Sequence, residues 1–270
     1  MMKSLLFVAS LLMAVSLCAY TDSDMDGVDD SIDQCPNTPL TDLADISGCT
    51  KGSLASPHHY DIIVGLNYSD SDYRSLNAMD TLATSFQVDY YYRQLSIQAS
   101  TSFFTTDGGR YSDSGLYDSF LGASYRLDRS DNLSISLSAG LILPTYHTEL
   151  NNNNMDYTAS MNLSYTLENI NIFGGYTFTL INDDNVDEIT YQNTNTLSVG
   201  VGSYVDNKLY MSASYSVGDS IYKGLADIKT ATVHGYYSID KDRFATVSYA
   251  HGLSDTASDN YFSVRLGFLF

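Results

Sequence analysis

The residues best suited to chemistry lie early in the chain, in Asp22-Ser23-Asp24-Met25-Asp26-Gly27-Val28-Asp29-Asp30-Ser31-Ile32-Asp33-Gln34-Cys35-Pro36. Taking Asp22 as position 1 puts Asp24 at 3, Asp26 at 5, Gly27 at the sharp turn at 6, the Val28 carbonyl at 7, Asp30 at 9 and Asp33 at 12. A hard cation such as Ca²⁺ needs roughly six or seven oxygens, and this order supplies them from one short loop. The alternative is an acidic, solvated linker. Random Asp runs seldom place Gly at the turn and Cys-Pro at the exit.

Position 12 is Asp33, where an EF-hand prefers Glu. The pattern Asp-x-Asp-x-Asp-Gly-x-x-Asp-x-x-Asp-x-Cys-Pro resembles a thrombospondin type 3 repeat, as do Asn37-Thr38-Pro39 and the later Gly48-Cys49. The resemblance implies a structural calcium module of a kind that, in bacterial outer-membrane proteins, often links a barrel to a periplasmic domain. Its expected affinity is weak, on the order of 10⁻⁴ to 10⁻³ M, as in extracellular modules.

Residues 1–19 read as a secretory signal, with Lys3, an apolar core from Leu5 to Leu17, and Leu17-Cys18-Ala19 as the cleavage site. That core is too short to span a bilayer. Cys18 as a lipid anchor is the alternative, against which bulky Leu17 argues. Removal of Cys18 leaves Cys35 and Cys49, an even pair in a chain exported to an oxidising compartment, so a disulfide between them is expected. The expected organisation is a signal over 1–19, the calcium module and linker over 20–55, and one large domain over 56–270.

That large domain must be all-β. The chain has 23 Tyr and 11 Phe, no Trp and only 4 Pro, a composition that suits pleated surfaces. Its net charge of -19 argues against nucleic acid and anionic lipid surfaces as partners and favours divalent cations. From Tyr60 onward, segments of about ten residues alternate apolar with small polar side chains, the repeated signature of a transmembrane barrel. Leu133, Ile135, Leu137, Ala139, Leu141 and Leu143 oppose Ser134, Ser136, Ser138 and Gly140.

The pattern predicts an up-and-down antiparallel barrel of about twelve strands, with ten to fourteen allowed. The strands fall near 60–69, 82–93, 95–104, 116–127, 133–143, 157–167, 170–181, 195–205, 209–218, 229–239, 243–252 and 260–270. Tight turns at Arg93-Gln94, Asp128 to Asn132, Glu168-Asn169, Asp206 to Lys208 and Asp240 to Asp242 alternate with longer polar loops. An even strand count would put both barrel ends, and the calcium module, on the periplasmic side. A soluble β-sandwich or β-solenoid would also alternate. Its solvent face would carry more charge than this Ser-rich one.

Phe262, Val264, Leu266, Phe268 and Phe270 share one face and end at the C-terminus. This resembles the signal read by the outer-membrane insertion machinery, and implies that machinery, lipid and lipopolysaccharide as partners. The oligomeric state is open. Tyr68, Tyr90, Tyr92, Tyr165, Phe178, Tyr215 and Phe268 are candidates for interfacial girdles.

Inward positions are mainly Ser, Thr, Gly, Asn and Gln, too short to fill such a barrel, so water is expected inside. Inward charges are few: Asp89, Asp118, Arg126 and Arg265. A modest channel for small polar solutes follows as the expectation, narrowed by a loop such as Asn182 to Thr194 with Asp183, Asp184, Asp187 and Glu188. Two alternatives stand beside it. One is a structural or adhesive outer-membrane protein whose tyrosine-rich outer loops bind a surface partner, the acidic 182–194 loop then serving only to bind divalent ions and lipopolysaccharide. The other is a barrel-embedded lipase or protease using Ser with one of His58, His59, His147, His234 and His251. No nucleophile elbow, His-Glu-x-x-His pattern or Gly-rich phosphate loop supports the enzyme, and His234 is expected to line the lumen.

Overall fold

The computed structural model describes residues 22, 28, 33–35, 58–71, 78–108, 112–130, 132–146, 154–186 and 189–270. The chain separates into two compact units, Met1–Ser56 and Pro57–Phe270.

The second unit is one antiparallel sheet of thirteen segments. They are β1 (His58–Ser71), β2 (Met79–Tyr92), β3 (Leu95–Asp107), β4 (Ser112–Leu116), β5 (Ser119–Ser130), β6 (Leu133–Leu143), β7 (Asp156–Leu167), β8 (Ile170–Leu180), β9 (Thr194–Tyr204), β10 (Leu209–Gly218), β11 (Ile228–Asp240), β12 (Arg243–Gly252) and β13 (Asn260–Leu269). Apart from β4 and β5, which both pair with β3, each strand pairs with its neighbours in sequence, and β1 pairs with β13, so the sheet closes on itself. Closure removes the free edges whose unpaired backbone groups hydrocarbon cannot satisfy. At the seam Tyr60 N–H donates to Phe270 O at 3.1 Å and Phe270 N–H donates to Tyr60 O at 2.9 Å.

The wall has 12 strands, because β4 and β5 are one strand interrupted by a bulge. Phe103 pairs with Leu116 and Ser100 with Phe120, so one extra residue is accommodated between these pairs. The strand expected over 116–127 therefore begins earlier, at Ser112, and breaks at Tyr117-Asp118. A bulge re-aims side chains locally.

The five expected tight turns all stand at one end of the barrel. Two are two-residue hairpins that hold Arg93 at φ 53° and Glu168 at φ 51°, the left-handed conformation such tight connections demand. The longer connections stand at the opposite end. No helix among the described residues is long and apolar enough to cross a membrane.

The two faces of the wall differ as the alternation requires. Leu66, Leu82, Leu197 and Val199 point outward, each 55% exposed or more, and among the described residues no large side chain is fully buried. An outer surface this apolar is tolerable only in lipid. The aromatic residues sort by height on it. Tyr60, Tyr90, Tyr92, Tyr125, Tyr165 and Tyr237 ring the turn end, and Tyr68, Phe103, Tyr157, Tyr176, Phe178, Tyr215, Tyr249 and Phe262 ring the loop end.

Three tyrosines of the upper ring repeat one arrangement. Tyr68 donates its hydroxyl to Asp80 Oδ1 at 2.7 Å, Tyr176 to Asn195 Oδ1 at 2.6 Å, and Tyr249 to Asn260 Oδ1 at 2.7 Å. Each acceptor sits on the adjacent strand, two residues nearer the loops than the tyrosine's own cross-strand partner. The ring remains on the apolar band and the hydroxyl meets the polar edge.

Of the first unit, Asp22, Val28, Asp33, Gln34 and Cys35 are described. Cys35 is disulfide-bonded, and its N–H donates to Asp33 Oδ1 at 2.8 Å. Asp24, Asp26, Asp30 and Cys49 lie outside the described residues. Among the described residues no group of three or more His, Cys, Asp or Glu side chains is placed to hold a metal.

Candidate functional site

The lumen is built from the alternate residues of every strand. Asp61 and Asp89 are cross-strand partners on β1 and β2, and both are buried, at 8% and 6% exposure. Tyr91 donates a hydrogen bond to Asp61, while Asp61 Oδ1 has no hydrogen-bond partner. Asp61 was not recognised from sequence as a lumen charge. Its neighbour Ile63 is also inward, which blurs the polar phase of β1.

The expected lumen charges are placed at different heights. Arg265, from the last strand, donates through Nη2 to Gln87 Oε1 on the second. The other end of that amide, Gln87 Nε2, donates to Asp89 Oδ2 at 2.7 Å. One glutamine thus links a guanidinium to a carboxylate. Arg126 lies near the turn end, half exposed, with Nε 3.8 Å from Asp128 Oδ1. Asp118 stands at the bulge near the loop end, where its Oδ1 accepts the Tyr146 N–H at 2.9 Å.

Gly65 makes the crossing of Arg265 possible. A Cβ at this position would stand 2.7 Å from both Arg265 Cγ and Ser85 Oγ, closer than packed carbon tolerates. The guanidinium stem therefore lies against bare β1 backbone on its way to β2.

Two polar cavities open along this wall. One of about 340 Å³ includes Asn67, Ser85, Gln87, Asp118, Ser263 and Arg265 in its lining. The other, of about 280 Å³, includes Gln87, Asp89, Tyr91, Ser96, Gln98 and Phe120. Gln87 borders both. His234 is inward as expected, with Nδ1 2.8 Å from Ser248 Oγ on the next strand.

Beside the short polar residues expected to dominate the lumen stand large aromatic ones that the pattern does not mark. Phe104, Phe120, Phe173, Tyr210, Tyr236 and Phe244 are inward too. Phe120 lies flat on its wall, where a Cβ on either Gly122 or Gly140 would come within 2.5 Å of the ring. Phe244 covers Gly267 in the same way. Scattered single aromatics carry no period of their own, and glycine pairing across strands is the only sequence signal that could have located them.

The mouth at the loop end also differs from expectation. Phe104, only 3% exposed, stacks on Tyr117 with ring centroids 4.3 Å apart and meets Tyr146 edge-on at 5.3 Å. Tyr146 OH donates to Asp113 Oδ2 at 3.1 Å, and Thr145 Oγ1 donates to Tyr117 O at 2.7 Å. The segment 144–146 is therefore tied down over an inward aromatic.

The loop expected to narrow the mouth, 182–194, is bonded to the neighbouring loops. Asn182 N–H donates to Asp156 Oδ1 at 2.8 Å, Gln192 N–H to Ile221 O at 2.9 Å, and Lys223 N–H to Thr190 O at 2.8 Å. Asp187 and Glu188 lie outside the described residues. Desolvation, with Asp118 and Asp184 nearby, raises the carboxyl pKa of Asp183 above its ordinary value. Asp219 is shifted the other way, because the Asn195 side chain and backbone N–H both donate to its carboxylate.

No family model matches the chain, and no curated protein is similar to it in sequence. Among solved structures, the fold is similar to that of the NanC porin, with a TM-score of 0.53 and 10% identity over 77% of this chain and 98% of that one. It is similar to the KdgM porin at a TM-score of 0.50 and 13% identity, over 78% and 99% of the two chains. The translocator domain of the autotransporter NalP from Neisseria meningitidis aligns at a TM-score of 0.51 and 10% identity, over 81% and 90%. At these identities the likeness is one of fold: a closed, 12-strand antiparallel barrel of the outer-membrane type.

Proposed function

We propose that this chain is an outer-membrane channel for small polar solutes, with its long loops outside the cell and its N-terminal module in the periplasm. One observation carries the reading: inside a barrel whose outer wall is apolar, charged and amide groups from β1, β2 and β13 converge on two adjoining polar cavities. A barrel with no aqueous role would gain by packing that space with apolar side chains. Acidic groups outnumber basic ones along the lumen and mouth, which favours cations over anions. Lipid and lipopolysaccharide surround such a barrel, and the insertion machinery would read its terminal aromatic strand. No catalytic step is assigned.

The test is conductance of refolded protein in a planar bilayer. Discrete current steps with a cation-selective reversal potential are expected. Protein that inserts without discrete steps leaves the structural or adhesive reading in its place.

The calcium module is part of the same proposal. Asp22, Asp24, Asp26, the Val28 carbonyl, Asp30 and Asp33 would ligate one Ca²⁺, with Cys35 and Cys49 bridged behind them. Two features support it. Asp33 Oδ1 is fixed by the Cys35 N–H, and its other oxygen, Oδ2, is buried with no hydrogen-bond partner. Calorimetric titration of the full chain with CaCl₂ should show one weak site, and Asp33→Asn should weaken it by about tenfold or more. A native chain that takes up no Ca²⁺ at millimolar concentration leaves this segment as an acidic linker.

A further inference from the structure

The larger cavity carries opposite charges. Arg265 and Asp118 both line it, with Ser85, Asn67 and Ser263 in the same lining. The guanidinium is held in orientation by its bond to Gln87 Oε1. Its Nε is buried and has no hydrogen-bond partner, and Ser85 Oγ is buried and unpartnered as well. Ser85 Oγ and the Arg265 stem, at its Cγ, both flank Gly65, so the side chains that carry these two donors stand together on the wall. Asn67 Oδ1, by contrast, already accepts from Ser263 Oγ at 2.7 Å and from Tyr261 OH at 2.9 Å. Asp118, in the same lining, takes one backbone N–H on its Oδ1, which orients the carboxylate.

We propose that this cavity is a subsite for small zwitterionic solutes of the α-amino acid type, the carboxylate on Arg265 Nε and Ser85 Oγ and the ammonium toward Asp118. The proposal rests on the channel reading above. A simple anion satisfies Arg265 but must pass Asp113, Asp118 and Asp183 at the mouth. A simple cation is welcome there but meets the guanidinium in the same cavity. A dipolar solute with no net charge passes both and satisfies both poles. The volume of about 340 Å³ matches a molecule of this size with some water. Binding through so few polar contacts is weak, as conduction requires, since a solute held tightly would block the path.

The test compares entry of L-glutamine with entry of arabinose, an uncharged solute of similar size, into proteoliposomes carrying the full chain. Glutamine should enter several-fold faster. Arg265→Gln and Asp118→Asn should each bring the ratio close to one, and Arg265→Lys, which keeps the charge but not the Nε–H donor, should give an intermediate ratio. In case a variant fails to fold, native protein in a planar bilayer offers a second readout: glutamine, and not arabinose, should reduce the KCl current in a concentration-dependent way. A native ratio near one, or a high ratio that survives both Arg265→Gln and Asp118→Asn, overturns the subsite while conductance keeps the channel. Absence of any current in KCl overturns the channel and the subsite with it.

Discussion

Tyr146 leans edge-on against Phe104, with ring planes at 72°, although the two lie 42 positions and several strands apart in sequence. The contact fixes the loop-end mouth, because the same tyrosine's N–H and hydroxyl are committed to Asp118 and Asp113. Tyr146→Ala removes the ring contact and the hydroxyl bond together. The expected outcome is a wider, noisier mouth: larger unit conductance, and entry of larger uncharged polymers in a size-exclusion assay. Unchanged conductance would mean that the constriction lies deeper.

Gly65 makes a sharper stability prediction. A methyl group there meets Arg265 Cγ and Ser85 Oγ at 2.7 Å, so Gly65→Ala should destabilise the folded barrel by about 1–3 kcal/mol, the usual cost of overpacking. A bulkier Gly65→Val should do more and detach Arg265 from Gln87. Urea unfolding in lipid vesicles measures the first effect, and a change in ion selectivity reports the second.

Acid should act in opposite senses on two loop carboxylates. Asp219 has a lowered pKa, so its bonds from Asn195 contribute stability above the ordinary carboxylate pKa, and that contribution is lost as pH falls through the folded value. Asp183 has a raised pKa. Its folded form favours the proton, so whatever stability it lends is present at low pH and is lost as pH rises through the folded value. Hydrogen exchange of the loop amides should therefore show Asn195 losing protection on acidification while the segment around Asp183 gains it. Asp219→Asn should abolish the first change, and Asp183→Asn the second.

Phe270 is the last residue and the seam's last rung. Deleting it removes both backbone bonds to Tyr60 and one member of the apolar face shared with Phe268. Assembly should suffer more than the stability of barrels already formed. The expected result is a low yield of the compact, heat-modifiable band on unboiled gels from cells, with near-normal refolding of purified protein into detergent. Equal losses in both would place the defect in seam energetics instead of recognition by the insertion machinery.

The amino-acid sequence by itself determined where most strands run and which side of them is wet, because a two-residue period is a local property of extended chain. Leu133 to Leu143, Tyr157 to Leu167 and the tight turns between strands were legible for that reason. The face of Arg265 and Asp89 was legible too. Their neighbours were not, since alternation fixes a side chain's direction and leaves its height and its cross-strand partner free. Only closure brought Arg265 to Gln87, 178 residues earlier in the chain, and the shared register of β1 and β2 set Asp61 beside Asp89. The bulge at Tyr117-Asp118 likewise arises from a one-residue mismatch between pairings on either side of it, which no single strand's pattern records. Period is written in the chain; register is decided when the sheet meets itself, because only then must every backbone bond find a partner at once.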